Sequence, residues 1–168
     1  STPYEQCPHR LSQCMVTFPG QDYSSEGQDD AFRQPLPLSI EKDGVWKKFK
    51  VASEEGTACS YVLRFQNSTS NTYQLKLHPA NSLASNAQLG LYYYSQVLDA
   101  VVDLGLFSPL DCNKIKHCIQ SERGYVMFVL EDTDFLVLNL VPQSPALPME
   151  MTVSYRMINQ MEKRFMTQ

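Results

Sequence analysis

No apolar run in this 168-residue chain reaches the roughly 18 residues that a membrane-spanning helix needs. Residues 1–20 also lack the basic start and unbroken apolar stretch of a secretory signal, which a mature secreted chain would have lost. Glycine is scarce: with seven in the chain, no phosphate-cradling loop can be assembled. No Gly-x-Ser-x-Gly elbow, no His-Glu-x-x-His and no CxxC pair occurs. Basic excess is missing too. The net charge is −4, and Glu5, Asp22, Glu26, Asp29 and Asp30 against Arg10 account for all of it. The rest of the chain is neutral, whereas duplex binding draws on phosphate neutralisation, so nucleic acid is excluded as an expected partner.

Histidine is almost as rare, with three in the chain. His9 lies between proline and arginine, and His78 ends a predicted strand on its polar face. His117 neighbours Cys118, but adjacent helical residues point about 100° apart and do not form a nucleophile–base pair. Metal sites fare no better. Cys7, His9 and Cys14, and Cys112, His117 and Cys118, lack zinc spacing. Asp132-Thr133-Asp134 has too few oxygens for calcium and suits a turn. No catalytic set, no metal and no cofactor is expected.

The five cysteines cannot all pair internally. Cys59, Cys112 and Cys118 fall on predicted apolar faces, where buried free thiols are common. Cys7 and Cys14, among prolines, are the pair best placed for a disulfide. Asn67-Ser68-Thr69 is a glycosylation sequon in a predicted loop. The balance of these signals favours a reduced, cytoplasmic or nuclear setting, with secretion as the alternative.

What is present is patterning. Pro3, Pro8, Pro19, Pro35 and Pro37 make residues 1–37 a polar arm, followed by a single domain over 38–168. Val45, Phe49 and Val51 share a face interrupted by Lys47, which reads as an edge strand over 45–51. Cys59, Tyr61, Leu63 and Phe65 alternate cleanly, as do Tyr73, Leu75 and Leu77 with Gln74, Lys76 and His78. These three strands predict an antiparallel meander. Ala87, Leu91, Tyr94, Leu98 and Val101 follow helical spacing, which predicts a long central helix over 83–106 stopped at Gly105. Asp111 caps a short helix carrying Cys112, Ile115, Cys118 and Ile119. Residues 125–130 and 135–141 read as a hairpin of strands covered on both faces. A last stripe (Val153, Met157, Ile158, Met161, Phe165) predicts a C-terminal helix. The expected fold class is α+β: a mostly antiparallel sheet packed by the two helices.

The remaining features suit binding. Trp46 with Lys47, Lys48 and Lys50 forms a cationic-aromatic strand able to meet an acidic peptide or a lipid head group. Tyr92, Tyr93 and Tyr94 cannot all face the core from one helix, which leaves Tyr92 or Tyr93 as an interface anchor. The expected function is therefore a non-catalytic protein–protein interaction domain of a larger intracellular protein. Its partner, another protein or peptide, docks on Trp46, Lys47, Lys48, Lys50, Tyr92 and Tyr93. A secreted carrier with an apolar pocket is the alternative, and an enzyme without a recognisable motif follows it.

Overall fold

The computed structural model describes residues 15–17, 36–38, 44–53, 58–65, 71–80, 88–109, 111–133, 135–141 and 149–158. Over these residues the chain is all-β, with strands β1 (Met15–Thr17), β2 (Leu36–Leu38), β3 (Lys47–Ser53), β4 (Cys59–Phe65), β5 (Asn71–Pro79), β6 (Gln88–Ser95), β7 (Ala100–Phe107), β8 (Cys118–Gln120), β9 (Val126–Thr133), β10 (Phe135–Val141) and β11 (Met149–Ile158). They form a six-stranded sheet in the order β1-β3-β11-β5-β9-β8 and a five-stranded sheet in the order β2-β4-β10-β6-β7. Every pairing is antiparallel except β2 with β4, which is parallel.

The inward residues of both sheets make one core. Phe49, Val51, Met151, Val153, Leu75, Leu77, Val126 and Phe128 of the larger sheet join Tyr61, Leu63, Phe65, Leu89, Leu91, Leu138 and Leu140 of the smaller. Each such side chain contributes about 1.5–3 kcal/mol by leaving water. Aromatic rings concentrate on the larger sheet's β3, β5 and β11 and the facing β4. Phe65 stacks on Tyr73 at 3.7 Å, and Phe49 lies 5.2 Å from Tyr61. The Tyr61 hydroxyl is buried there with no hydrogen-bond partner among the described residues. Burial, then the charge of Tyr155, pushes its phenol far above the ordinary tyrosine range.

The α+β expectation is overturned: no helix occurs among the described residues. The stretch read as the central helix is the hairpin β6–β7, paired from Ser95↔Ala100 to Leu89↔Phe107. Its turn, 96–99, is held by the Leu98 N–H donating to Ser95 Oγ at 3.2 Å and the Gln96 N–H donating to the Asp132 carbonyl at 3.0 Å. The Tyr94 hydroxyl also donates to the Asp99 carboxylate. Asp99 takes a positive φ of 49°, a role to which aspartate is suited. Gly105, read as a helix stop, has φ 82° inside β7, with its N–H on the Asp103 carboxylate. Strand periodicity lost to helical periodicity in the reading because Tyr92, Tyr93, Tyr94, Val101 and Val102 are apolar on both faces of the hairpin. β-branched and aromatic residues favour a pleated surface.

The other expected helices fail similarly. Residues 111–118 are a loop closed by a Cys112–Cys118 disulfide, with Cα atoms 6.0 Å apart, leading into β8. The expected C-terminal helix is β11 as far as Ile158, where Met149, Met151, Val153 and Tyr155 are buried and alternate with Glu150, Thr152, Ser154 and Arg156. Residues 159–168, with Met161 and Phe165, lie outside the described residues. The expected meander is not one either: β3 and β5 belong to the larger sheet and β4 to the smaller, so consecutive strands cross between layers. The expected hairpin at 125–141 also changes sheet, with β9 in one layer and β10 in the other. Nor is 45–51 an edge strand, since β3 pairs with β1 on one side and β11 on the other.

Candidate anion-binding face

The outward residues of β3, β11 and β5 define the site. Alternation forces them there: once Phe49, Val153 and Leu77 point inward, their neighbours point out. The register then sets them in rows. Lys48 lies opposite Ser154, Ser154 opposite Lys76, and Lys76 opposite Met127 of β9. In the next row Lys50 lies opposite Thr152, and Thr152 opposite His78. The short side chains of Thr152 and Ser154 thus lie between longer ones on the neighbouring strands.

Trp46, just before β3, and Tyr125, just before β9, reach onto this surface. The Lys76 ammonium lies 4.1 Å from the Trp46 ring centroid and 5.0 Å from that of Tyr125. The Arg156 guanidinium also sits 5.2 Å from the Trp46 centroid. Its Nε donates to Gln74 Oε1 at 2.6 Å, which fixes the fork over a buried amide. The His78 ring meets Tyr125 edge-on at 6.2 Å. A cation over an aromatic face gains about 0.5–2 kcal/mol, more as water is excluded. Gly124, at φ 88°, turns the chain into Tyr125; a Cβ there would stand 3.8 Å from His78 Nε2.

This face carries a local excess of positive charge. On β3, β11 and β5 the outward charges are Lys48, Lys50, Lys76 and Arg156 against Glu150, in a chain of net charge −4. Glu150 is engaged by Lys50 at 3.4 Å, both side chains being about half exposed. Such a pair holds about 0–1 kcal/mol.

The residues expected from sequence divide between the two sheets. Trp46, Lys48 and Lys50 lie on this face, whereas Lys47 stands opposite the buried Tyr155 and is half-buried. Tyr92 and Tyr93 belong to β6 of the smaller sheet. Tyr92 is buried with Val137, against Val62, Tyr94 and Val101. Tyr93 is half-buried, its phenol pushed up by burial and then by the charge of Glu131. Neither meets Trp46. Asn67 lies outside the described residues. Sequence reasoning missed Lys76, Tyr125 and Arg156. Lys76 had a usable signal in the polar face of the predicted strand 73–77; Arg156 was hidden by the helix expectation.

No protein-family model and no curated protein matches the chain. Among solved structures, the chain is similar to Aeromonas hydrophila PliG, a periplasmic lysozyme inhibitor of g-type lysozyme. That match has 12% identity, a TM-score of 0.42, and covers 74% of this chain and 96% of that one. Salmonella Typhimurium PliG, also a periplasmic inhibitor of g-type lysozyme, matches at 12% identity and a TM-score of 0.38, over 75% of this chain and 99% of that one. A point mutant of a family 29 carbohydrate binding module matches at 12% identity and a TM-score of 0.36, over 66% of this chain and 70% of that one. Similarity of this size carries no functional argument.

The disulfides do carry one. Cys112 and Cys118 are joined, and Cys59 is also disulfide-bonded, its partner lying outside the described residues. This corrects the expectation of buried free thiols at these three positions and, with it, the intracellular expectation. Disulfides persist in oxidising compartments and are rare in the cytosol and nucleus.

Proposed function

We propose that this chain is a non-catalytic binding protein of an oxidising, extracytoplasmic compartment, which holds an anionic ligand on the outer face of its larger sheet. The observation that carries the reading is the Lys76 ammonium bracketed by Trp46 and Tyr125 on a face of positive charge. Lys48, Lys50 and Arg156 extend the same potential, and Arg156 is already oriented by Gln74. The ligand is placed outside the sandwich, because Tyr61, Tyr73, Phe49, Phe65 and Phe128 fill the space between the sheets with fully buried side chains. That packing disfavours a carrier with an apolar pocket between the sheets. His78 faces Tyr125 rather than a nucleophile or acid, which supports binding over catalysis.

Trp46 is the chain's single tryptophan, so its fluorescence reports on this face alone. Titration with a sulfated dextran at low salt should change that emission, and about 0.5 M salt should reverse the change. Lys76→Glu should weaken binding at least tenfold. A titration that is flat, or indifferent to Lys76→Glu, refutes the reading.

A further inference from the structure

We infer that the anion is a carboxylate carried by a saccharide, so that the face recognises a uronate sugar rather than an acidic protein segment. The inference rests on the anion-binding reading and adds the ligand's chemical class to it.

The first argument is size. Two ring centroids at 4.1 and 5.0 Å from one ammonium are at most about 9 Å apart. Recognition is thus concentrated at one cation and its two flanking rings. A stable protein–protein contact instead spreads over about 800 Å² per partner.

The second argument is the backbone. An extended peptide binds a sheet by adding a strand at an open edge, where main-chain hydrogen bonds supply affinity. Here β11 is paired with β3 and β5, and β5 with β11 and β9, so the strands beneath the site have no open edge to offer. A peptide lying across this face would leave its own N–H and C=O groups to water or to imperfect partners, at a cost of about 1–3 kcal/mol for each one buried unpaired.

The third argument is chemistry. A pyranose presents apolar C–H faces and a rim of hydroxyls. Trp46 and Tyr125 supply ring surface for the former where Lys76 and Arg156 do not cover it. Thr152 and Ser154, between these longer side chains, add hydroxyls that both donate and accept, which suits the latter. Lys76 and Lys48, opposite each other across Ser154, then meet the uronate carboxylate. A neutral sugar's hydroxyls accept hydrogen bonds from these ammonium groups but leave their charge unmatched, whereas a carboxylate makes the stronger, charge-assisted bond.

The test uses the whole chain and three probes read by Trp46 fluorescence and calorimetry: a uronate hexasaccharide, its carboxyl-reduced neutral counterpart, and hexaglutamate. The uronate sugar should bind at least tenfold more tightly than either of the others. Tyr125→Ala and Lys76→Met should each lose at least tenfold, with Tyr125→Phe retaining affinity and the circular dichroism of every variant unchanged. Hexaglutamate binding as tightly as the uronate sugar overturns the saccharide inference and leaves the anion-binding reading standing. The neutral sugar binding equally overturns the role of charge in both. A response to none of the three, or to sulfated dextran alone, overturns the inference.

Discussion

Tyr61→Phe deletes one oxygen from the middle of the sandwich and should stabilise the protein. The side chain is fully buried, and its hydroxyl has no hydrogen-bond partner among the described residues. A buried hydroxyl left unsatisfied costs about 1–3 kcal/mol. Removing it leaves a void of about 15 Å³, which at about 24 cal/mol per Å³ returns roughly 0.4 kcal/mol of that gain. The ring contact with Phe49 at 5.2 Å is kept. The variant should therefore gain about 0.5–2.5 kcal/mol, or about 1–10 °C in Tm. Urea unfolding followed by far-UV circular dichroism at about pH 7 measures it.

Alkaline pH supplies a second readout from the same residue. Burial raises the folded-state phenol well above the value of the unfolded chain, so the native protein keeps this proton where the unfolded chain sheds it. That contribution to stability is intact below about pH 10 and falls by about 1.4 kcal/mol per pH unit above it. Phenylalanine has no proton to lose, so the gap between variant and wild type should widen with that slope above about pH 10. A variant less stable by about 0.5 kcal/mol or more at neutral pH would mean that the hydroxyl is satisfied after all. An unchanged alkaline slope would mean that the phenol ionises within the folded state. Either result refutes the argument.

Other expectations are simpler to check. Unreduced, denatured protein should titrate with one free thiol, because five cysteines with Cys112–Cys118 joined and Cys59 bonded elsewhere leave one over; five would remove the case for an oxidising compartment. Cys112→Ser with Cys118→Ser should cost about 2 kcal/mol by the loop-closure estimate, measured by urea unfolding without reductant. Phe128→Ala, at a fully buried site 5.2 Å from Phe107, should cost about 3–5 kcal/mol. Gly105→Ala at φ 82°, with open space around the new Cβ, should cost about 1–2 kcal/mol from backbone strain alone.

The strands that alternate plainly were legible. Cys59, Tyr61, Leu63 and Phe65, and Tyr73, Leu75 and Leu77, point inward as their spacing requires. The chain's layering was not. Whether β4 pairs with β3 or faces it across the core leaves the same alternation in the sequence, since both arrangements bury one side of each strand. Residues 88–107 misled for a different reason. Tyr92 and Val137 are buried on the outer side of the smaller sheet, so the hairpin is apolar on two faces and fits any period. β11 was the avoidable error: Met149, Met151, Val153 and Tyr155 alternate with Glu150, Thr152, Ser154 and Arg156. The stripe Val153, Met157, Ile158, Met161 and Phe165 also fits helical spacing and hid that alternation. The candidate face was half legible, because Lys48, Lys50 and Trp46 are neighbours in sequence. Lys76, Tyr125 and Arg156 join them only through the order β3-β11-β5-β9.

That order also governs how the protein can be made. β11 is the last described strand to be synthesised, yet it lies between β3 and β5 and pairs with both along most of its length. Until it emerges, β3 and β5 each carry an open edge of unpaired N–H and C=O groups with apolar side chains beneath. No amino-terminal portion of the larger sheet can close by itself. Folding must wait for a contact between distant parts of the chain, which slows it and prolongs exposure of sticky edges. A truncation before Met149 should yield an aggregating species rather than a smaller domain.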